Sequence, residues 1–280
     1  MRDRPGRKVP VNGRHVYVEE SGDGPDQVVF EAGAGCGRTC WDPVLPLLAG
    51  RARLVAYDRA GFGRSGRTTG TPGIDDLAAD LVAMTEAVVP GRFVLVAHSM
   101  GGLVARRAAE SLAPRLRGLL LVDPLAETAP VYDTWDRTTG RIDRTMALTQ
   151  ALAALRPLAR LLSGGMRRLY PRDTYETMLA EDFTPAGIAQ TRKEMRAVAA
   201  AITDFRRRPP QDPKCPVVVL AAAGPAVARR RQETGLAEHQ RRLAAGLPDG
   251  RFEEADTGHF IQAEQPRLVA DRILGLLGHP

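Results

Sequence analysis

The sequence predicts an α/β protein: a mostly parallel sheet of about eight strands flanked by helices, interrupted by an all-helical insertion. Three observations carry that expectation. Short apolar runs rich in valine and leucine recur along the chain, several followed by segments whose apolar residues repeat at helical spacing; this alternation builds parallel sheets. One such unit, Arg92 to Ala105, passes from strand to helix through Ala97-His98-Ser99-Met100-Gly101. From Leu125 to about Pro210 the alternation stops and only helical periodicities remain. The expected organisation is therefore a core made of residues 1–124 and 211–280, with residues 125–210 inserted between its two parts. Excising the insertion should leave a soluble core, because the βα pattern is continuous across the gap.

In order, Lys8 to Glu20 reads as a hairpin turning at Asn12-Gly13, with Val9/Val11 and Val16/Val18 alternating on its arms. Gln27 to Glu31 is a strand running into Ala32-Gly33-Ala34-Gly35-Cys36-Gly37. That segment lacks the lysine and serine of a phosphate loop, and its small residues let a backbone N–H face a cavity. Trp41 to Leu48 reads as a short helix. Arg53 to Tyr57 is a strand ending in a glycine-rich turn, where Asp58 is expected to hold the loop's own backbone. Ile74 to Val88 is amphipathic, with Leu77, Leu81, Met84 and Val88 on one face. Gly118 to Val122 is a buried strand closing on Asp123-Pro124. In the insertion, Leu148, Leu152, Leu155 and Leu162 share a helical face, with Pro157 marking a kink or a fresh start. Thr184-Pro185 caps a helix carrying Met195, Val198, Ile202 and Phe205. Val217 to Leu220 is a strand, Glu233 to Ala245 a helix, Arg251 to Glu254 a strand, and Pro266 to Leu277 a last helix.

Composition narrows the function. The formal net charge is +6, which allows an acidic partner, but no stretch interleaves bases with aromatics, so nucleic acid is not expected. The three cysteines, Cys36, Cys40 and Cys215, do not make a disulfide framework. Cys36 and Cys40 lack a second ligand pair, so no metal site is expected. No apolar run reaches membrane-spanning length and no signal-peptide core is visible, so no membrane association and a cytoplasmic location are expected.

The small residues flanking Ser99 let the backbone turn sharply. Its hydroxyl then projects above the sheet beside a helix N-terminus, where it can act as a nucleophile. Four pieces, each at a strand end, carry a wider likeness. They are Ala32-Gly33-Ala34-Gly35, the run Tyr57-Asp58-Arg59-Ala60-Gly61-Phe62-Gly63-Arg64-Ser65, then Ala97-His98-Ser99-Met100-Gly101-Gly102, and Gly258-His259-Phe260. In this order they resemble the α/β-hydrolase fold, and the likeness covers the chain outside the insertion. It implies that Ser99 is the nucleophile and His259 its base, and that the insertion is the cap that shapes the pocket. His15 and His279 are expected in solvent, His239 sits among charged residues, and His98 should point away from the serine hydroxyl.

The acid departs from the family's usual pattern. Most members carry it after the strand that follows the cap, where this chain reads Ala221-Ala222-Ala223-Gly224-Pro225-Ala226-Val227, and no carboxylate occurs from Cys215 to Gln232. Some relatives place it one strand earlier, which implies Asp123, with Glu127 as second candidate; Asp256 is too near His259 in sequence to orient it. The resemblance also implies an oxyanion hole formed by the N–H groups of Ala34 and Met100, with no organic cofactor. The expected activity is hydrolysis of a carboxylic ester, thioester or lactone of a small acyl substrate through an acyl-enzyme on Ser99. A lyase, a cofactor-free perhydrolase or a non-catalytic ligand-binding member would fit the same residues. Epoxide hydrolases and dehalogenases need a carboxylate at the serine position.

Overall fold

A computed structural model describes residues 6–68, 70–225, 227 and 233–279, with the backbone alone for 136–138. The hairpin comprises β1 (Gly6–Val11) and β2 (Arg14–Ser21). Its turn residues Asn12 and Gly13 have φ of 46° and 76°, the two left-handed positions that match strand twist in a two-residue turn. The remaining strands are β3 (Asp26–Glu31), β4 (Ala52–Asp58), β5 (Phe93–His98), β6 (Leu116–Val122), β7 (Val217–Ala222) and β8 (Gly250–Ala255). Together they form an 8-stranded sheet in the order β1-β2-β4-β3-β5-β6-β7-β8. Only β1 with β2 and β2 with β4 pair antiparallel; the other pairs are parallel.

β5 and β7 are buried along their whole length, and β6 nearly so, hence their near-continuous apolar sequences. Alternate side chains enter opposite layers. Phe93, Leu95, Leu119 and Leu121 face a layer that includes α1 (Ile74–Val88) and α2 (Gly101–Leu112). Val94, Val96, Leu120 and Val122 face Trp41, Leu48 and Ile273 in the other.

Between β6 and β7 the chain makes α3 (Trp135–Leu152), α4 (Arg156–Leu162), α5 (Gly164–Leu169), α6 (Arg172–Glu181) and α7 (Pro185–Arg207). Thr184 caps α7 by accepting from the Gly187 N–H at 3.0 Å. The leucine face expected across this region does not exist. α3 ends at Leu152 and Pro157 opens α4, so the register breaks, leaving Leu148, Leu155 and Leu162 63%, 60% and 47% exposed. The helix expected over Trp41–Leu48 is instead two 3₁₀ turns, Arg38–Trp41 and Leu45–Leu48. Pro43 and Pro46, which have no N–H to donate, interrupt it. α8 (Leu236–Ala245), α9 (Ile261–Glu264) and α10 (Pro266–Leu277) complete the chain. Of the acid-free stretch Cys215–Gln232, residues 226 and 228–232 lie outside the described residues. No helix among the described residues is long and apolar enough to cross a membrane.

Candidate active site

Ser99 occupies the turn between β5 and α2 with φ of 55°, a left-handed conformation that is costly for a side-chain-bearing residue. Close packing holds it there. A Cβ on Gly101 would lie 2.5 Å from the Ala32 carbonyl oxygen, and one on Gly33 would lie 3.1 Å from the Ser99 Cβ. The small residues therefore allow the glycine-rich loop after β3 to rest directly on the serine turn. Ser99 donates its N–H to Val122 O across the neighbouring strand at 3.0 Å.

The loop after β8 brings His259 to this turn, its Nε2 3.1 Å from Ser99 Oγ. On its other side His259 Nδ1 donates to Asp123 Oδ2 at 2.6 Å. The carboxylate fixes the tautomer, leaving Nε2 as the acceptor facing the hydroxyl. Asp123 directly follows β6, also at positive φ (44°). Its Oδ1 accepts from the Ala222 N–H at 3.2 Å and from Gln240 Nε2 at 3.1 Å. Gln240 Nε2 also donates to Pro124 O at 2.7 Å. Gln240, fully buried on α8, went unnoticed in the sequence; its only trace there is a polar residue in line with the buried Ala244.

The other candidates fall elsewhere. Glu127 forms a two-pronged pair with Arg106, at 2.6 and 2.9 Å. Burial alone would raise its carboxyl, but the Arg106 hydrogen bonds and charge outweigh it and hold the group below the usual range. Asp256 is exposed, and its carbonyl accepts from Gln265. His279 is not free in solvent: its Nε2 lies 2.8 Å from Asp26. His239 meets the Thr128 hydroxyl. His98 turns away from Ser99 Oγ yet remains in the site. Its Nε2–H donates to His259 O at 3.0 Å, and the two rings lie 4.6 Å apart. Burial, reinforced by the neighbouring His259, pulls His98 down to about 3, so it stays neutral and adds no charge against the His259 ring.

The loop after β3 is pinned almost group by group. Arg59 donates to Ala32 O and Gly33 O at 2.6 and 2.7 Å. Gly35 N–H donates to Glu194, Cys36 N–H to Gly33 O, Gly37 N–H to Asp182 and Arg38 N–H to Asp58. Between Ala34 and Arg38, only the Ala34 N–H has no hydrogen bond to protein among the described residues; the Met100 N–H at the start of α2 is likewise without one. The Asp58 expectation holds in part. It accepts from its own loop at Arg64 N–H, but it also reaches across to Arg38.

Beside this loop lies a cavity of about 240 Å³ beneath the inserted helices. Ala34, Met166, Phe183, Ile188 and Phe260 give it apolar walls, and Asp182 borders it. Burial, together with the Asp58 charge, pushes the Asp182 carboxyl up to about 8. Cys36 also lines the cavity, and burial pushes its thiol up to about 12, the opposite of an activated cysteine. No group of three or more His, Cys, Asp or Glu side chains suited to a metal ion occurs among the described residues.

Comparison with known proteins shows the family of the chain. A protein of Azorhizobium caulinodans named "Putative carbamate hydrolase RutD" is 26% identical over 269 residues, covering 94% of this chain and 95% of its own. A pimeloyl-[acyl-carrier protein] methyl ester esterase of Aeromonas hydrophila is 32% identical over 135 residues, covering 47% of this chain and 49% of its own. The crystal structure of a "putative alpha/beta hydrolase" from Nostoc sp PCC 7120 superposes with a TM-score of 0.79 at 21% identity, covering 99% of both chains. The sequence profile of the alpha/beta hydrolase family matches residues 28–272, and the chain belongs to that family.

Proposed function

We propose that this protein is a serine hydrolase that cleaves a carboxylic ester, or a thioester or lactone, through an acyl-enzyme on Ser99. The observation that carries this reading is the unbroken relay from Asp123 through His259 to Ser99 Oγ; the Ala34 and Met100 N–H groups, without a protein acceptor among the described residues, are its oxyanion donors. His259 Nε2 takes the hydroxyl proton as Oγ attacks the carbonyl carbon, and the ion pair with Asp123 stabilises the imidazolium. The oxyanion then accepts from Ala34 and Met100, each worth about 3 kcal/mol to the barrier. The imidazolium protonates the departing alcohol, and a water activated by the same ring releases the acid. Carbamate and methyl ester, the substrates in the two relatives' names, are both open to this attack. The cavity's apolar walls favour an uncharged acyl group.

Labelling by a fluorophosphonate, which reacts with activated serines, tests the reading directly. Wild-type protein should be labelled at Ser99, and Ser99→Ala should lose the label and all hydrolysis of a p-nitrophenyl ester series while melting as a folded protein. An unlabelled wild type would mark a non-catalytic binding member and end the proposal. Including aryl carbamates in the series ranks the two acyl classes.

A further inference from the structure

We infer that Glu194, carried by α7 of the inserted helices, is a positioning residue for the oxyanion hole, so that part of the cap sets catalytic geometry as well as substrate choice. The inference rests on the serine-hydrolase reading. Glu194 is fully buried and divides its carboxylate between two tasks. It receives Arg59 on both oxygens, Nε to Oε1 at 2.8 Å and Nη2 to Oε2 at 2.9 Å. Its Oε2 also accepts the Gly35 N–H at 3.2 Å.

The second contact matters for geometry. The Ala34 N–H shares its peptide plane with Gly33 O, which Arg59 Nη2 holds at 2.7 Å, and the Gly35 N–H held by Oε2 fixes the next plane, so Glu194 restrains both planes that flank Ala34. Without Glu194, Arg59 loses its carboxylate partner and the Gly35 N–H its acceptor, and both planes are freer to turn. Thr191, one turn earlier on α7, closes the remaining freedom. Gly35 has φ of 75°, and a Cβ on it would lie 2.8 Å from Thr191 Cγ2. Arg59 supplies the counter-charge and grips the same loop from the other side at Ala32 O and Gly33 O, while Glu31, hydrogen-bonded by Tyr57, completes its shell. The donor and acceptor demands of loop, cap and core thus meet at one buried guanidinium, whose fork geometry suits several simultaneous contacts.

The test compares wild type with Glu194→Gln and Arg192→Gln. The glutamine keeps the volume, but it removes the counter-charge and sets an amide NH2 against Arg59 Nε in place of Oε1, so the guanidinium and the Gly35 N–H lose their shared rigid anchor. Arg192 lies on the same helix, and its hydrogen bonds go to Asp143 and Gln150 of α3 rather than to the loop, so it controls for general loosening of the cap. Glu194→Gln should lower kcat for p-nitrophenyl butyrate about 10- to 100-fold, the scale of a misplaced oxyanion donor. KM should stay within about threefold, and the rate of fluorophosphonate labelling at Ser99 should fall in parallel. Arg192→Gln should leave both rates unchanged. If Glu194→Gln keeps wild-type kcat and labelling, or raises KM alone, Glu194 only packs the cap and the inference fails while the hydrolase reading stands. If Glu194→Gln does not fold, Glu194→Asp replaces it: the shorter side chain keeps the charge for Arg59 but draws the carboxylate back from the Gly35 N–H, and an unchanged kcat would equally overturn the inference. An unlabelled wild type would overturn the hydrolase reading, and this inference with it.

Discussion

At the scale of single residues, the acid is the decisive position. Asp123 has one oxygen on His259 and the other held by Ala222 and Gln240, so its carboxylate has little freedom to turn. Asp123→Asn should lower kcat by roughly 10⁴, the effect of amidating a triad aspartate. Glu127→Gln should do far less, since its partner is Arg106 on the adjoining helix. Kinetics on any active ester from the series separates the two. Asp182 is a different kind of acid. Its carboxyl titrates near 8 in the folded protein and near 4 when unfolded, so the native state binds the proton more tightly. The stability this contributes is fully present below about pH 4 and declines as the pH rises toward about 8. Melting temperatures measured between pH 5 and 8.5 should therefore fall more steeply in wild type than in Asp182→Asn, which keeps an acceptor for the Gly37 N–H. Equal slopes would show that the carboxyl is not held protonated.

At the scale of elements, the serine turn depends on two backbones touching. The Ala32 carbonyl would lie 2.5 Å from a Cβ on Gly101, and a backbone oxygen cannot rotate aside as a flexible side chain can. Gly101→Ala should cost about 1–3 kcal/mol in stability, even though alanine suits a helix better than glycine. It should also shift the Met100 and Ala34 N–H groups relative to Ser99, so that fluorophosphonate labelling slows in protein that remains folded. A gain in melting temperature would show that helix propensity outweighs the contact.

At the scale of the whole molecule, the insertion cannot be treated as a removable lid. Val198, Ala201, Ile202 and Phe205 of α7 join the same apolar layer as α1 and α2. Arg107 reaches Asp204, and Arg206 reaches the carbonyls of Glu127 and Ala129. Glu194 neutralises a guanidinium that stays charged in any environment. Cutting out residues 125–210 would uncover that layer and take away the carboxylate that pairs with Arg59. The excised protein is therefore expected to aggregate or to melt far below the intact chain, contrary to the expectation drawn from the continuity of the βα pattern. A monomeric, cooperatively melting product would restore that expectation.

Alternating apolar periodicity by itself determined the sheet class, the hairpin at Asn12-Gly13, the strand–turn–helix around Ser99 and the helical character of residues 125–210, because these follow from local patterns of side chains. Ser99 and His259 were legible for a related reason: each stands in a glycine-bearing turn at a strand end, where backbone chemistry leaves a short signature. Asp123 was legible only through the resemblance, in which some relatives carry the acid one strand earlier, since an aspartate before a proline also suits an ordinary turn. What the tertiary structure alone decided are contacts between residues far apart in the chain: Gln240 on Asp123, His98 against His259, and Glu194 and Asp182 on the loop after β3. Nothing local distinguishes a buried glutamate on an amphipathic helix from a solvated one. The register of α7 against the core, which places Glu194 over Arg59, depends on packing among layers that no single segment encodes.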